Sequence, residues 1–157
     1  MQHRMREFQM TEPAVQSLLD RCPVMILSTT GADGFPYGVP VHTLWLDGKL
    51  YFHGLPQGEK LANIARDPRV CLTGADFRGI LSEGVSSPCD ADAAYECVVV
   101  RGRAALVSGL AEKRRILAAI VHKLAPELDA LPLAEARVAG TAVVEVTPVS
   151  VTGKYHG

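Results

Sequence analysis

The chain has 157 residues, a formal net charge of −1 and a sequence pI near 6.5. This length suits one domain, and the dispersed basic residues, with Arg101 and Arg103 as local exceptions, give no electrostatic footprint for nucleic acid. The charged N-terminal segment MQHRMREFQM lacks the apolar core of a signal peptide, and no apolar run approaches the ~20 residues of a membrane helix, so we expect a soluble, cytoplasmic protein.

Cysteine and histidine positions argue against a disulfide framework and a metal site. The cysteines, at positions 22, 71, 89 and 97, are irregularly spaced and include no CxxC pair, so we expect buried free thiols. The histidines, at positions 3, 42, 53, 122 and 156, form no HxxxH or HxH spacing. The sequence therefore predicts no metal centre.

The first element predicted along the chain is a helix that begins after Thr11. Thr11 can cap this helix, because Pro13 follows at an early helical position where a missing N–H costs little. Cys22-Pro23 should end it. The apolar run at 24–27 then predicts a strand inside a barrel or between covered faces, and the GADG segment at 31–34 predicts a turn.

A β-hairpin is predicted around Asp47-Gly48. A two-residue Asp-Gly link between apolar runs suits a type I′ turn, since both central residues need a positive φ, so residues 37–46 and 49–53 should pair. Pro40 cannot donate to a sheet ladder and marks an edge, a bulge or a place where the sheet opens. Gly38 permits close approach by a ligand or another chain, although an ordinary irregular edge strand would also explain both residues.

A short helix that ends before Pro68 is predicted after the hairpin. Leu61, Ile64 and Ala65 repeat at helical spacing, which places Lys60 in the first turn. A helix N-terminus carries a partial positive charge, so a lysine there is unfavourable without a nearby anion. That anion could be the neighbouring glutamate at 59, or a phosphate held by free backbone N–H groups and the lysine ammonium.

The remaining pattern predicts three further strands and one further helix. Strands are expected at 69–73, at 95–107 with a bend or bulge at Gly102, and at 141–152 with an edge or bulge at Pro148. The helix is expected at 111–124, and the glycine-, serine- and proline-containing stretch 74–92 predicts a long loop. Six strands and three helices predict a mainly β fold, a small antiparallel barrel with flanking helices.

The ordered motifs P-x-x-x-P-V-H, D-G-K-L-Y-F-H-G, G-E-K and D-P-R-V resemble the FMN-binding split-barrel superfamily, which includes pyridoxamine 5'-phosphate oxidases. The closer resemblance is to its nitroimidazole-resistance branch. It extends from about Thr11 to Lys154 and is strongest from Pro36 to Val70. The resemblance implies a single FMN-binding domain over residues 1–157, a six-stranded antiparallel split β-barrel, and a homodimer whose flavin sites lie between two subunits.

The resemblance also implies roles for particular residues. A lysine eight residues before the proline that follows the helix binds the FMN phosphate in such proteins, and Lys60 stands in that relation to Pro68. His53 is implied as the catalytic or substrate-contacting residue. The implied cofactor contacts are Val39, Pro40, Val41, His42, Thr43, His53, Gly54, Lys60 and Cys97, with those of Pro40, Val41 and Thr43 made by the backbone.

Two departures from the family pattern bear on activity. Cys97 stands where related proteins more often have serine or glutamine, and its thiol is a weaker hydrogen-bonding group. Glu59 stands where pyridoxamine 5'-phosphate oxidases carry arginine, which argues against that specific activity. We expect an FMN-dependent oxidoreductase of nitroimidazole- or nitroaromatic-reductase type, acting on a small aromatic substrate with an unidentified electron donor. The alternative is a non-enzymatic flavin- or haem-binding sensor, store or carrier.

Overall fold

Six antiparallel strands close into a barrel in the order β1-β2-β3-β6-β5-β4 in the computed structural model, which describes residues 7–157. The N-terminal segment that argued against a signal peptide lies largely in residues 1–6, outside this range. The strand bounds are β1 Val24–Thr30, β2 Pro36–Leu46, β3 Lys49–Gly54, β4 Arg69–Leu81, β5 Asp92–Leu106 and β6 Ala142–His156. The predicted mainly β split barrel is confirmed.

Four α-helices flank the barrel in the described part of the chain. They are α1 Glu12–Arg21, α2 Glu59–Arg66, α3 Leu110–Leu124 and α4 Glu135–Gly140. The Thr11 side chain caps α1 by accepting a hydrogen bond from the backbone N–H of Ala14. The first three were predicted, whereas the six-residue α4 was missed. No helix between residues 7 and 157 is long and apolar enough to cross a membrane.

The hydrophobic side chains form two cores. One core lies between the strands and α1, and its fully buried members include Leu27, Phe52, Leu72, Val98, Val100 and Val146. The second core packs α3 and α4 against the opposite face of β2, β3 and β6, through Leu44, Tyr51, Ile116, Ile120, Val138 and Val143. The period-two alternation of the strands supplies both sets of side chains.

The hairpin and the bulge agree with their predictions. Asp47 and Gly48 have φ values of 53° and 74°, as a type I′ turn requires. Gly102 lies at a register shift opposite Pro148. A Cβ atom on Gly102 would lie 2.6 Å from the carbonyl oxygen of Thr147, so only glycine fits there.

Three sequence predictions need correction. The loop predicted at 74–92 is wrong in its first part, because β4 continues to Leu81 in register with β5, with a shift at Phe77/Gly79. Strand β1 is covered on one face only: Met25 and Leu27 are buried, while Val24 and Ile26 are 40% and 45% exposed. The cysteines are all free, but Cys22 alone is buried, Cys89 is exposed, and the other two are half-buried.

Candidate functional site

The candidate site forms where strand β2 changes its partner. Residues 36–42 of β2 pair with β1, whereas Thr43 to Leu46 pair with β3, and the last pair of that ladder is Thr43 with Phe52. Beyond this pair, β3 continues along β6 while β2 follows β1. Pro40 therefore lies beside an opening in the barrel wall, as its missing N–H predicted.

His42 and His53 stand on either side of this opening. They are the next residues of β2 and β3 after the Thr43–Phe52 pair, so the ladder would have placed them opposite each other had it continued. His42 pairs with Val24 and shares its outward face. His42 is exposed and His53 is half-buried. The opening thus brings together two histidines that are eleven residues apart in the sequence.

Lys60 extends from the first turn of α2 toward the same opening. A Cβ atom built on Gly54 would lie 3.3 Å from Lys60 Nζ and 3.4 Å from its Cε, so the lysine side chain crosses directly over Gly54. Within residues 7–157, no carboxylate forms an ion pair with Lys60, Glu59 included, and the N-cap Gly58 offers no side chain to the first N–H groups of the helix. The ammonium and the helix N-terminus are both available to an anion.

A buried polar network fixes α2 against β1. The Asn63 amide donates to Thr29 Oγ1 at 3.1 Å, and both side chains are buried. Arg66 donates to the carbonyl oxygen of Thr30 and to Asn63 Oδ1. This network sets the position of the helix, and therefore of Lys60, relative to the barrel. Sequence reasoning missed it, although an asparagine next to the apolar positions of α2 was the available signal.

His53 is electrostatically unusual among the described residues. Its Nδ1 atom is buried without a hydrogen-bond partner. Burial lowers the pKa of the His53 imidazole, and the charges of His42 and Lys60 lower it further. A buried nitrogen without a partner is uncommon in folded proteins, and here it lies beside Lys60, which pairs with no carboxylate of residues 7–157. This arrangement is chemically suited to an anionic or hydrogen-bonding ligand.

The other predicted contact residues of β2 differ in what they can offer. Val41 and Thr43 are buried, Val39 packs partly against the barrel core, and Pro40 is exposed on the outer face. Thr43 N–H donates to the Pro23 carbonyl, its hydroxyl donates to another backbone carbonyl, and its own carbonyl accepts from a lysine of α3. Thr43 therefore contributes no unpartnered polar group to the opening.

Cys97 does not join the other predicted contacts within one chain. It pairs with Lys154 near the end of β6, whereas His53 pairs with Val143 near the start of the same strand. Because a strand rises about 3.3 Å per residue, the two positions are far apart along β6. The half-buried thiol instead lines a cavity of about 700 Å³ between α1, the hairpin turn and β6.

Comparison with protein-family models matches residues 11–155 to the family described as pyridoxamine 5'-phosphate oxidase, and the chain therefore belongs to this family. A search of curated proteins found no match.

Solved structures with the same fold include three that cover most of the chain. A candidate 5-nitroimidazole antibiotic resistance protein from Bacteroides thetaiotaomicron is 24% identical, with a TM-score of 0.80 over 93% of this chain and 85% of that one. The flavocytochrome Anf3 from Azotobacter vinelandii is 22% identical, with a TM-score of 0.87 over 100% and 72%. A FAD and heme binding protein from Mycobacterium smegmatis is 18% identical, with a TM-score of 0.83 over 94% and 72%.

We expect His53 in the flavin-free protein to titrate below the ordinary histidine pKa of 6.5, and Lys60→Ala to move that pKa upward. Because the folded-state pKa lies below the unfolded value, the free energy of unfolding does not depend on His53 protonation above pH 6.5. It decreases as the pH falls from 6.5 toward the folded-state pKa. Histidine ring NMR signals recorded between pH 4 and 8 measure the titration directly. Identical His53 titrations in the two proteins would contradict the electrostatic contact.

Proposed function

From its membership of the pyridoxamine 5'-phosphate oxidase family, we propose that the chain is a single-domain FMN-binding flavoprotein that acts as an oxidoreductase. The observation that carries the proposal is the group formed by His42, His53 and Lys60. These three basic side chains meet at the opening between β2 and β3. The Lys60 side chain crosses Gly54, and its ammonium pairs with no carboxylate in the described part of the chain.

The residues at this opening fit the phosphate end of FMN. A phosphate dianion would accept hydrogen bonds from the Lys60 ammonium and from the uncapped N–H groups of α2, and its charge would complement the helix dipole. A Cβ atom at Gly54 would lie 3.3 Å from Lys60 Nζ, so a larger residue there would require the end of the lysine side chain to shift.

The flavin ring would lie along the unpaired edge of β2, beside Val39, Pro40 and Val41. No strand of the described residues pairs with this edge on the β3 side, so its backbone groups can reach a ligand. FMN supplies electron transfer when it is bound, whereas the protein supplies binding, orientation and access. The lowered pKa of His53 keeps its imidazole neutral near pH 7, so the ring can form a hydrogen bond to a substrate without carrying a charge.

The proposed substrate is a small aromatic acceptor of the nitroimidazole or nitroaromatic class. The likeness to a candidate 5-nitroimidazole resistance protein supports this class. The competing proposal is a flavin- or haem-binding sensor, store or carrier without turnover, and it draws support from the neighbours described as a flavocytochrome and as a FAD and heme binding protein. A visible spectrum of the protein as isolated separates these cases, because a Soret band without flavin would contradict FMN.

We also propose a homodimer in which each flavin site uses both chains. The outward face of β1 carries Val24 and Ile26, both strongly exposed, and Pro40 pairs with Ile26 on the adjacent strand. A second copy would cover this apolar face. Cys97 lies far from His53 in its own chain. In the proposed dimer, the Cys97 thiol near a flavin ring would therefore come from β5 of the second copy.

Lys60→Ala should weaken FMN binding about tenfold or more. The substitution removes a charge-assisted hydrogen bond to the phosphate, worth roughly 1.5–3 kcal/mol. Riboflavin lacks the phosphate and should bind the variant and the parent alike. Fluorescence titration with both flavins measures the effect, and Arg137→Ala, on the exposed surface of α4, is the control. An unchanged FMN affinity in a folded Lys60→Ala protein would place the phosphate elsewhere.

The FMN-loaded protein should reduce a nitroaromatic acceptor with a reduced nicotinamide faster than free FMN does. His53→Gln should lower this rate without releasing FMN, since the proposal gives His53 a role toward the substrate. Absorbance of the donor follows turnover, and flavin fluorescence reports retention. If no donor and acceptor combination exceeds free FMN, the carrier proposal replaces the enzyme proposal.

Ile26→Asp should convert a dimer into a monomer and weaken FMN binding by about tenfold or more. A carboxylate at position 26 would lie on the face that the second copy covers, and its desolvation there is costly. Light scattering gives the mass, and flavin titration gives the affinity. Leu131→Asp is the matched control, because Leu131 is 64% exposed in the segment between α3 and α4. A monomeric variant with the parent's FMN affinity would contradict a shared site.

A further inference from the structure

A row of polar and basic side chains crosses the outward face of four strands, away from His53 and Lys60. The pairing register aligns Ser28, Cys71, Arg101 and Ser150 on β1, β4, β5 and β6 in succession. Directly opposed residues of antiparallel strands share a face, and adjacent strands lie about 4.8 Å apart. Two hydroxyl groups and a thiol therefore flank the Arg101 guanidinium in one line.

Two further arginines lie on the same face. Arg69 of β4 is directly opposite Arg103 of β5, and Arg101 is the next residue of β5 on that face. Like charges that face each other across a ladder destabilise a sheet unless another charge compensates them. Three guanidinium groups thus converge on the β4–β5 ladder.

Among residues 7–157, Asp67 is the carboxylate that pairs with this group of arginines. Asp67 binds Arg69 through both oxygens, with an Nη2–Oδ2 distance of 2.6 Å. Hydrogen bonds from Arg69 hold the pKa of Asp67 at about 2, and the charge of Arg103 acts in the same direction. Within the described part of the chain, Arg101 and Arg103 form no hydrogen bond or ion pair. The cluster therefore retains an excess of about two positive charges.

The cluster borders a cavity of about 570 Å³. Its lining includes Ser28, Thr30, Arg69, Arg101, Arg103 and Val149. This volume falls within the ~300–1,000 Å³ usual for small-molecule sites. His42, His53 and Lys60 do not line this cavity, so it is separate from the opening between β2 and β3.

We propose that this cavity binds the phosphate group of a small phosphorylated molecule, as a second anion site. Guanidinium groups present planar, paired N–H donors that match phosphate oxygens, and Ser28 and Thr30 add neutral hydroxyl donors. A bound phosphate would also compensate the opposed charges of Arg69 and Arg103. The proposal rests on the cavity and its charges, and it holds whether or not Lys60 binds FMN.

The test is calorimetric titration with inorganic pyrophosphate in a Lys60→Ala background, which weakens the other anion site. We expect saturable binding, and we expect the added pair Arg101→Gln and Arg103→Gln to weaken it about tenfold or more. Arg137→Gln in the same background is the control, because it removes an exposed arginine outside the cavity. The parent affinity should fall as salt increases, since the guanidinium groups are exposed.

A second measurement keeps the test interpretable. The Arg101→Gln, Arg103→Gln protein should unfold in urea at the parent's midpoint or above it, because the substitution relieves cross-strand repulsion. Absence of saturable pyrophosphate binding to the Lys60→Ala protein would overturn the proposal. Equal affinities in the folded variant and its parent would overturn it as well. Neither result bears on FMN binding, which the flavin titrations measure separately.

Discussion

The half-buried ammonium group of Lys123 joins the segments that meet where β2 changes its partner strand. Lys123 of α3 donates to the carbonyl oxygens of Leu19, Cys22 and Thr43 at 3.0–3.1 Å. Burial lowers the pKa of Lys123, because desolvation disfavours its charged form. The three carbonyl hydrogen bonds offset that desolvation. One side chain thereby joins the end of α1, the approach to β1 and the residue at which β2 exchanges partners.

The chemistry of the candidate site follows from that exchange of partners. If the β2–β3 ladder continued past Thr43, His42 and His53 would be an ordinary cross-strand pair on a closed sheet. Because the strands diverge there, the two imidazoles border an opening, and α2 can extend Lys60 over Gly54 into it. The Asn63–Thr29 hydrogen bond holds the helix in that position. The barrel topology thus brings two histidines and a lysine from separate elements to one opening.

Local signals predicted the elements that surround the site, and tertiary contacts decided the rest. Asp47-Gly48 and the apolar spacing that ends before Pro68 predicted the hairpin and α2, since turn chemistry and helix periodicity are encoded over a few residues. The extension of β4 to Leu81 was missed because Gly74, Gly79 and interspersed polar residues mask its periodicity, and pairing with β5 supplies the order. Lys123 gave no sequence signal, because its three acceptors are distant in the chain. The family resemblance supplied the candidate roles of Lys60 and His53, and the barrel closure supplied their proximity.

The distribution of ion pairs explains how a chain of net charge −1 presents two basic sites. Several described carboxylates form ion pairs away from the two sites, as in the pairs of Arg21 with Glu96, Lys49 with Glu145 and Arg115 with Glu112. His42 and the arginine row that includes Arg101 lie on the outward face that also carries the exposed Val24 and Ile26. Association of two copies through this face would bring like charges closer, and bound anions would reduce that repulsion. In the proposed dimer, anion binding and assembly are therefore linked equilibria, in which each process stabilises the other by mass action.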